Sequence, residues 1–106
     1  MIVILSAKFI EYFTGHVFKI IPLKEDEVSG EDVHLSEYID SVVIEATGAL
    51  ATFKELANDT DFLTVVNILN YLNNNEVSEG VCKRETFKML GLLNAIAFRM
   101  GGETDA

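Results

Sequence analysis

Apolar residues in the last two thirds of the chain recur with a spacing that severely limits how the chain can fold. In three segments between residues 37 and 100 they advance by three or four positions. This period puts them on one side of an α-helix and not on one face of a strand. The sequence therefore predicts three amphipathic helices, at about 37–56, 61–73 and 81–100.

The ends of these helices carry recognisable signals. Polar residues that can accept a hydrogen bond from a free helix N–H precede each segment: Ser36 for the first, Asp59 or Thr60 for the second, and Ser78 for the third. The expected stops are Asn58, the asparagines at 73–75 and Gly101-Gly102. We expect residues 103–106 to form a flexible C-terminal tail.

Small residues fill the middle of the first predicted helix, where residues 46–51 are "ATGALA". Gly48 lowers helix propensity by about 1 kcal/mol relative to alanine, and close packing would compensate for that loss. The third predicted helix has small residues of its own at Gly91, Ala95 and Ala97. We therefore expect these two helices to cross closely, either within one chain or between two chains.

The N-terminal region gives a less consistent pattern. Residues 8–21 are rich in aromatic and β-branched side chains, and Thr14-Gly15 suits a turn. These features favour a β-hairpin of 8–13 and 16–21, with the residue before Pro22 extended. However, Val3, Ala7, Ile10 and Phe13 have helical spacing, so residues 1–15 remain open between strand and helix.

Together these elements predict an α+β fold that is mainly α, with a short N-terminal β-hairpin packed on a three-helix core. Residues 24–35 are expected to form a loop. The chain has 106 residues, of which 49% are hydrophobic, and this size favours one globular domain over residues 1–102. A single cysteine, no apolar run of membrane-spanning length and no basic residues before the N-terminal apolar run favour a cytoplasmic protein.

Negative charge is concentrated in one part of the chain. Residues 25–61 hold eleven of the 17 acidic residues and one basic residue, a net charge of −10, so the whole negative excess of the chain (net −9) lies there. Phosphate groups would be repelled, which disfavours direct nucleic-acid binding. The acidic segment is either a solvated loop or a binding surface for a basic partner. The candidate partner-binding residues are Glu25, Asp26, Glu27, Glu31, Asp32, Glu37, Asp40 and Glu45.

The sequence offers little for catalysis. It has no phosphate-binding glycine motif, and Asp32, His34 and Glu37 are a weak set of metal ligands without a supporting Cys or His cluster. Cys82 lies near a helix start beside basic residues, which favours a reactive thiolate, but it also falls on the apolar stripe of the third helix. We expect no enzyme activity, no cofactor and no metal.

These expectations lead to two functional hypotheses. The first is a small acidic inhibitor-type protein that occupies a basic surface of a nuclease or nucleic-acid-guided enzyme, as immunity proteins, antitoxins and phage anti-defence proteins do. Small size and clustered acidity support it. The second is a homo-oligomeric structural or accessory module, because the second and third predicted helices are so apolar that one small core would not hide them fully.

Overall fold

Helices are the only regular secondary structure in the residues that the structure describes. The computed structural model describes the backbone of residues 2–105 and the side chains of residues 5–100. Its elements are α1 (Ile2–Phe18), α2 (Ile20–Val28), α3 (Leu35–Thr52), α4 (Lys54–Ala57), α5 (Thr60–Asn74) and α6 (Glu79–Asp105). Residues 2–105 contain no strand, so the predicted α+β class is wrong and the protein is helical.

The predicted hairpin of 8–13 and 16–21 is wrong because its apolar residues serve a helical core instead. Ile10, Phe13, Val17 and Ile20 are all completely buried, and they advance by three, four and three positions. β-Propensity is a weak preference that packing overrides. The helical spacing at Ile10 and Phe13 was the correct signal, and Val3 lies where side chains are not described.

The boundary between α1 and α2 follows from Pro22. Proline has no N–H, so the carbonyl of Phe18 cannot receive the helical hydrogen bond that residue 22 would otherwise donate. The helix is interrupted at Lys19. Pro22 lies in the first turn of α2, where backbone N–H groups normally have no partner within the helix. The expectation of an extended segment over 16–21 is therefore wrong.

The predicted loop at 24–35 is much shorter than expected. Helix α2 continues to Val28, and only residues 29–34 connect it to α3. Gly30 has a φ of 95° and His34 has a φ of 51°, so this connection needs left-handed backbone at two places. Glycine adopts that conformation without a steric penalty.

The first predicted helix, 37–56, is divided into α3 and α4. Phe53 has extended backbone, with φ −114° and ψ 103°, and separates the two helices before Asn58 ends α4. Helix α3 begins at Leu35, one residue before Ser36, and His34 occupies the N-cap position without a side-chain hydrogen bond. The prediction of Ser36 as the N-cap is therefore wrong.

The second and third predicted helices are confirmed as α5 and α6. Asp59 caps α5 by accepting a hydrogen bond from the Phe62 N–H at 3.1 Å, and Ser78 accepts one from the Val81 N–H at 3.2 Å. The apolar residues of α5 that advance by three or four positions are buried throughout: Phe62, Val65, Val66, Leu69 and Leu72. Helix α6 continues through Gly101-Gly102 to Asp105, so its predicted end is wrong. Ala106 lies outside the described residues, and flexibility of residues 103–106 stays a prediction.

Helix α6 packs mainly against α1, α5 and α2, whereas α3 packs mainly against α5, α4 and α2. The predicted close crossing of α3 and α6 within one chain is therefore wrong, and a crossing between two chains stays a prediction. Ala46 and Ala49 do face the core, but Gly48 and Gly91 are exposed, with nothing within 4 Å of the position a Cβ would take. The small residues of α3 thus allow α5 and its neighbours to pack closely on one side and leave the other side open.

Removal of the α5 cap tests this arrangement. Asp59 caps α5 and also accepts a hydrogen bond from Arg99 Nη2 at 2.7 Å, which ties α6 to the start of α5. We expect Asp59→Ala to lower the free energy of unfolding by about 1–2 kcal/mol, measured by urea denaturation. Asp61→Ala removes only the second Arg99 contact, at 2.8 Å, and should cost less. Equal losses for the two variants would contradict the capping role.

Candidate functional site: an acidic groove beside α2, α3 and α5

The ends of four helices converge around a pocket of about 230 Å³. Helix α2 and the start of α3 form one side, and the end of α5 with the 75–78 connection forms the other. Cys82 of α6 also lines it. A pocket arises here because short helices and tight connections cannot fill the space between the ends of longer helices.

The inner part of this pocket is apolar. Leu35, Ile39, Leu72 and Cys82 are each less than 9% exposed, and the half-buried Val77 completes the lining. We call the whole pocket, including its polar lining residues, the apolar pocket. The burial of the apolar side chains fixes their positions, so the pocket is formed before any ligand arrives.

A partly buried ion pair, with Lys24 buried and Glu27 exposed, lies at the pocket wall. Lys24 is only 8% exposed, and its Nζ donates a hydrogen bond to Glu27 Oε1 at 3.0 Å. A lysine buried to this extent requires a partner, since an unpaired buried charge is strongly unfavourable. Glu27 therefore neutralises Lys24 and is held in place by it.

A shallow depression adjoins the apolar pocket. Glu37 and Asp40 line it together with Ser36 and Asn73, and the last two also line the apolar pocket. Asp40 Oδ1 accepts a hydrogen bond from the Asn73 amide at 3.4 Å, which links α3 to α5. We call the apolar pocket and this depression together the acidic groove. Its charged residues are Lys24, Glu27, Glu37, Asp40 and Glu76, with formal charges of +1 and four times −1.

The eight candidate partner-binding residues do not all meet at this groove. Glu27, Glu37 and Asp40 line it, whereas Glu45 lies against α1, where it accepts a hydrogen bond from the Tyr12 hydroxyl at 2.7 Å. Glu25 forms a salt bridge with Lys83 at 3.2 Å. Only Glu25 and Glu27 of the eight pair with a lysine, and within the part of the chain that is described none of the eight pairs with an arginine. The negative potential is therefore mostly not neutralised by the basic side chains of the protein.

The remaining acidic residues flank the connection before α3. Asp26 and Glu31 make no salt bridge among the described side chains, although the Asp26 carbonyl accepts a hydrogen bond from the Glu31 N–H at 3.0 Å. Asp32 and Glu37 lie on opposite sides of the His34 ring, at 3.4 Å from Nε2 and 3.1 Å from Nδ1. These two carboxylates face different ring nitrogens, so the three side chains do not converge on one point where a metal ion could bind all of them.

Cys82 has the environment of a buried apolar residue. It is 1% exposed, and burial raises the pKa of its thiol, with a smaller opposing effect from the Thr86 hydroxyl. A raised pKa keeps the thiol protonated at neutral pH, and the thiolate is the reactive form. The geometry thus favours the apolar-stripe interpretation of Cys82 over a reactive nucleophile.

Several groove residues could not be identified from the sequence. Lys24 falls in the predicted loop of 24–35. The helical spacing of Val17, Ile20 and Lys24 is the signal that places the lysine on the buried side of α2. Asn73 and Val77 carry no local signal of this kind. They contribute only because α5 ends beside α3, and tertiary packing determines that contact.

No protein-family model, curated protein or solved structure matches this chain. None of the helices in the described residues is both long enough and apolar enough to cross a bilayer. Any functional conclusion must therefore rest on the geometry and charge of the chain itself.

Proposed function

We propose that this chain is a small acidic protein-binding protein of the inhibitor type. In this proposal its α2–α3 face occupies a basic surface of a nucleic-acid-acting partner, such as a nuclease or nucleic-acid-guided enzyme, in the cytoplasm. It acts by binding and has no enzyme activity. The proposal rests mainly on Glu37 and Asp40, which are exposed and line the acidic groove. Neither carboxylate has a lysine or arginine partner among the described residues.

Electrostatics supports a basic protein as the partner. Glu37 and Asp40 lie near the positive end of the α3 dipole, but their side chains are exposed and keep their charge available to an approaching molecule. Complementary charge accelerates encounter and suppresses wrong partners. A surface that binds nucleic acid presents many positive side chains, so a rigid acidic face can compete for it.

The rigidity of the face also supports binding. Helix α2 is tied to α6 by the Glu25–Lys83 salt bridge, and α3 is tied to α1 by a hydrogen bond of 2.6 Å from the Tyr38 hydroxyl to the His16 carbonyl. A preorganised surface loses less conformational entropy on binding than a loop does. The solvated-loop interpretation is weakened because most of the acidic residues lie on helices.

Charge neutralisation tests the proposal. We expect the double variant Glu37→Gln/Asp40→Asn to weaken binding to the partner by at least about tenfold at low salt, because two carboxylates without a lysine or arginine partner are removed from the contact. The partner would first be identified by affinity capture from source cells and mass spectrometry. Binding of the purified pair would then be measured by calorimetry. Glu25 and Glu27 are left unchanged, since their removal would leave lysines without partners.

A matched control removes the same charge elsewhere. Glu11→Gln/Glu85→Gln removes one negative charge from α1 and one from α6, where the mostly buried Glu85 side chain pairs with the exposed Arg84 at 3.1 Å. This control should bind like the unaltered protein. Equal weakening by both double variants would indicate a general charge effect, and no weakening by either would remove the acidic face from the binding role.

The outer face of α6 favours self-association as a second candidate function. Phe87, Gly91, Ala95 and Phe98 are all exposed and advance by four, four and three positions, and Phe98 is 77% exposed. Asn94 is also exposed on this face, and the exposed Arg84 and Lys88 lie beside it near Phe87. Two exposed aromatic rings on one helix face are the kind of surface that buries well between two copies.

Sedimentation distinguishes this candidate from the first. If α6 mediates self-association, the unaltered protein should sediment as two or more chains, and Phe98→Ser should shift it to a single chain. Phe18→Ser is the control, because Phe18 is also an exposed phenylalanine, at 53%, but lies on α1. A single-chain mass for the unaltered protein at high concentration would rule out this candidate.

A further inference from the structure

The acidic groove combines an apolar interior with a charged rim, and this combination has consequences for what can bind. The interior consists of buried aliphatic side chains, including Leu35, Ile39 and Leu72. The rim carries the exposed carboxylates of Glu37, Asp40 and Glu76. A partner that makes only ionic contacts would leave the apolar interior filled with water.

The volume of the apolar pocket limits the occupant. A dry apolar cavity of about 150 Å³ is known to hold benzene, whereas pockets for drug-sized ligands and cofactors span roughly 300–1,000 Å³. At about 230 Å³, this pocket fits one leucine, methionine or phenylalanine side chain. A nucleotide or a typical organic cofactor would not fit inside it.

The charge around the pocket selects against anions. Lys24 is the one cation of the groove, and Glu27 already pairs with it at 3.0 Å. The remaining charged residues, Glu37, Asp40 and Glu76, make the rim of the groove negative. Glu76 makes no salt bridge with any described residue. Positively charged groups are therefore favoured on either side of the bound apolar group.

We infer that the apolar pocket is the anchor site for a basic partner segment in which one leucine, methionine or phenylalanine is flanked by lysine or arginine. The inference rests on the proposed function and specifies the chemistry of the partner at that site. The apolar side chain enters between α3 and the end of α5, and the flanking cations contact Glu37, Asp40 and Glu76. Interfaces commonly gain most of their binding energy from one such anchor in a desolvated pocket, with charged residues around it.

Two short basic peptides test the anchor directly. The first is acetyl-Lys-Arg-Leu-Arg-Lys-amide, and the second has glycine in place of leucine. Each is titrated into the isotopically labelled full chain at low salt, and amide shifts are followed by NMR. We expect the leucine peptide to bind about tenfold more tightly, because only it buries an aliphatic side chain. The largest shifts should fall at Ile39, Leu72 and Val77.

Variants of the protein distinguish the contribution of the apolar pocket to peptide binding from the contribution of the carboxylates. Ser36→Phe places a large side chain at the rim shared by the pocket and the depression, and it should abolish the preference for leucine while the glycine peptide binds as before. Val77→Phe is a second filling variant from the opposite wall. A peptide with glutamates around leucine should not bind the unaltered protein.

The outcomes distinguish this inference from the proposed function. Equal affinity for the leucine and glycine peptides overturns the anchor site, and this comparison on the unaltered protein does not depend on how any variant folds. If the glycine peptide is still weakened by Glu37→Gln/Asp40→Asn, the acidic face retains its role. If neither basic peptide binds, both proposals fail. Shifts at the same amides on concentrating the protein alone would show that a second copy fills the pocket, which also overturns the inference.

Discussion

Replacement of Phe62 by alanine should lower the free energy of unfolding by about 3–5 kcal/mol. Phe62 is completely buried, and its ring centroid lies 6.4 Å from that of Phe9 and 6.0 Å from that of Phe13. These rings join α1 to the start of α5. The substitution would leave a cavity there and remove aromatic contacts that contribute beyond simple burial. Because domains of this kind are stable by only about 5–15 kcal/mol, such a loss would be a large part of the total.

The neighbouring residue provides the control for this prediction. Leu63 is 37% exposed, so Leu63→Ala should cost much less than Phe62→Ala. Both free energies would be obtained from urea denaturation followed by circular dichroism. Similar costs for the two variants would mean that α5 does not present Phe62 to a packed core.

Substitutions at Gly15 should have the second largest effect on the free energy of unfolding. Whether a substitution raises or lowers this free energy depends on Gly15 lying inside a helix, as it does in α1. Gly15→Pro would introduce a ring that clashes with the preceding turn of α1 and would remove a backbone N–H donor. We expect this to lower the free energy of unfolding by about 3 kcal/mol or more. The Gly15 carbonyl also accepts the Lys19 N–H at 3.3 Å near the end of this helix. Denaturation would show the loss directly. A hairpin turn at Thr14-Gly15 would not produce this helix-breaking penalty.

For Gly15→Ala we expect the opposite effect on the free energy of unfolding, so this variant serves as the comparison for Gly15→Pro. Nothing lies within 4 Å of the position its Cβ would take, and the glycine has no positive φ. Alanine should therefore raise the free energy of unfolding by about 0.5–1 kcal/mol through its helix propensity. Destabilisation by alanine would indicate a backbone that needs glycine and would contradict a helix at this position.

The sequence predicts α5 and the start of α6 well because two signals agree there. Apolar spacing and polar caps at Asp59 and Ser78 both indicate helices, and the apolar stripe of α5 is buried. In the N-terminal region the signals conflict. Val17, Ile20 and Ile21 favour strand by propensity and helix by spacing, and the contacts with α6 favour the helix.

Tertiary contacts explain the remaining errors. The small residues of α3 suggested a close helix neighbour, but the sequence did not indicate which helix packs there or that Gly48 would face outward. Glu25, Asp26 and Glu27 fall in the predicted loop but lie on α2, whereas Glu37, Asp40 and Glu45 lie on a helix as predicted. Three of them line the acidic groove, and its apolar pocket arises from contacts between helix ends that no local pattern encodes.

The central claim is that the exposed carboxylates of α3 bind a basic protein through charge. The salt dependence of the affinity for the captured partner tests this claim most directly. We expect the affinity of the unaltered protein to fall steeply as salt rises, since exposed charges are screened beyond about 10 Å at 0.1 M. We expect a clearly shallower fall for Glu37→Gln/Asp40→Asn. An affinity that does not change with salt, or that changes identically for both proteins, would contradict the claim.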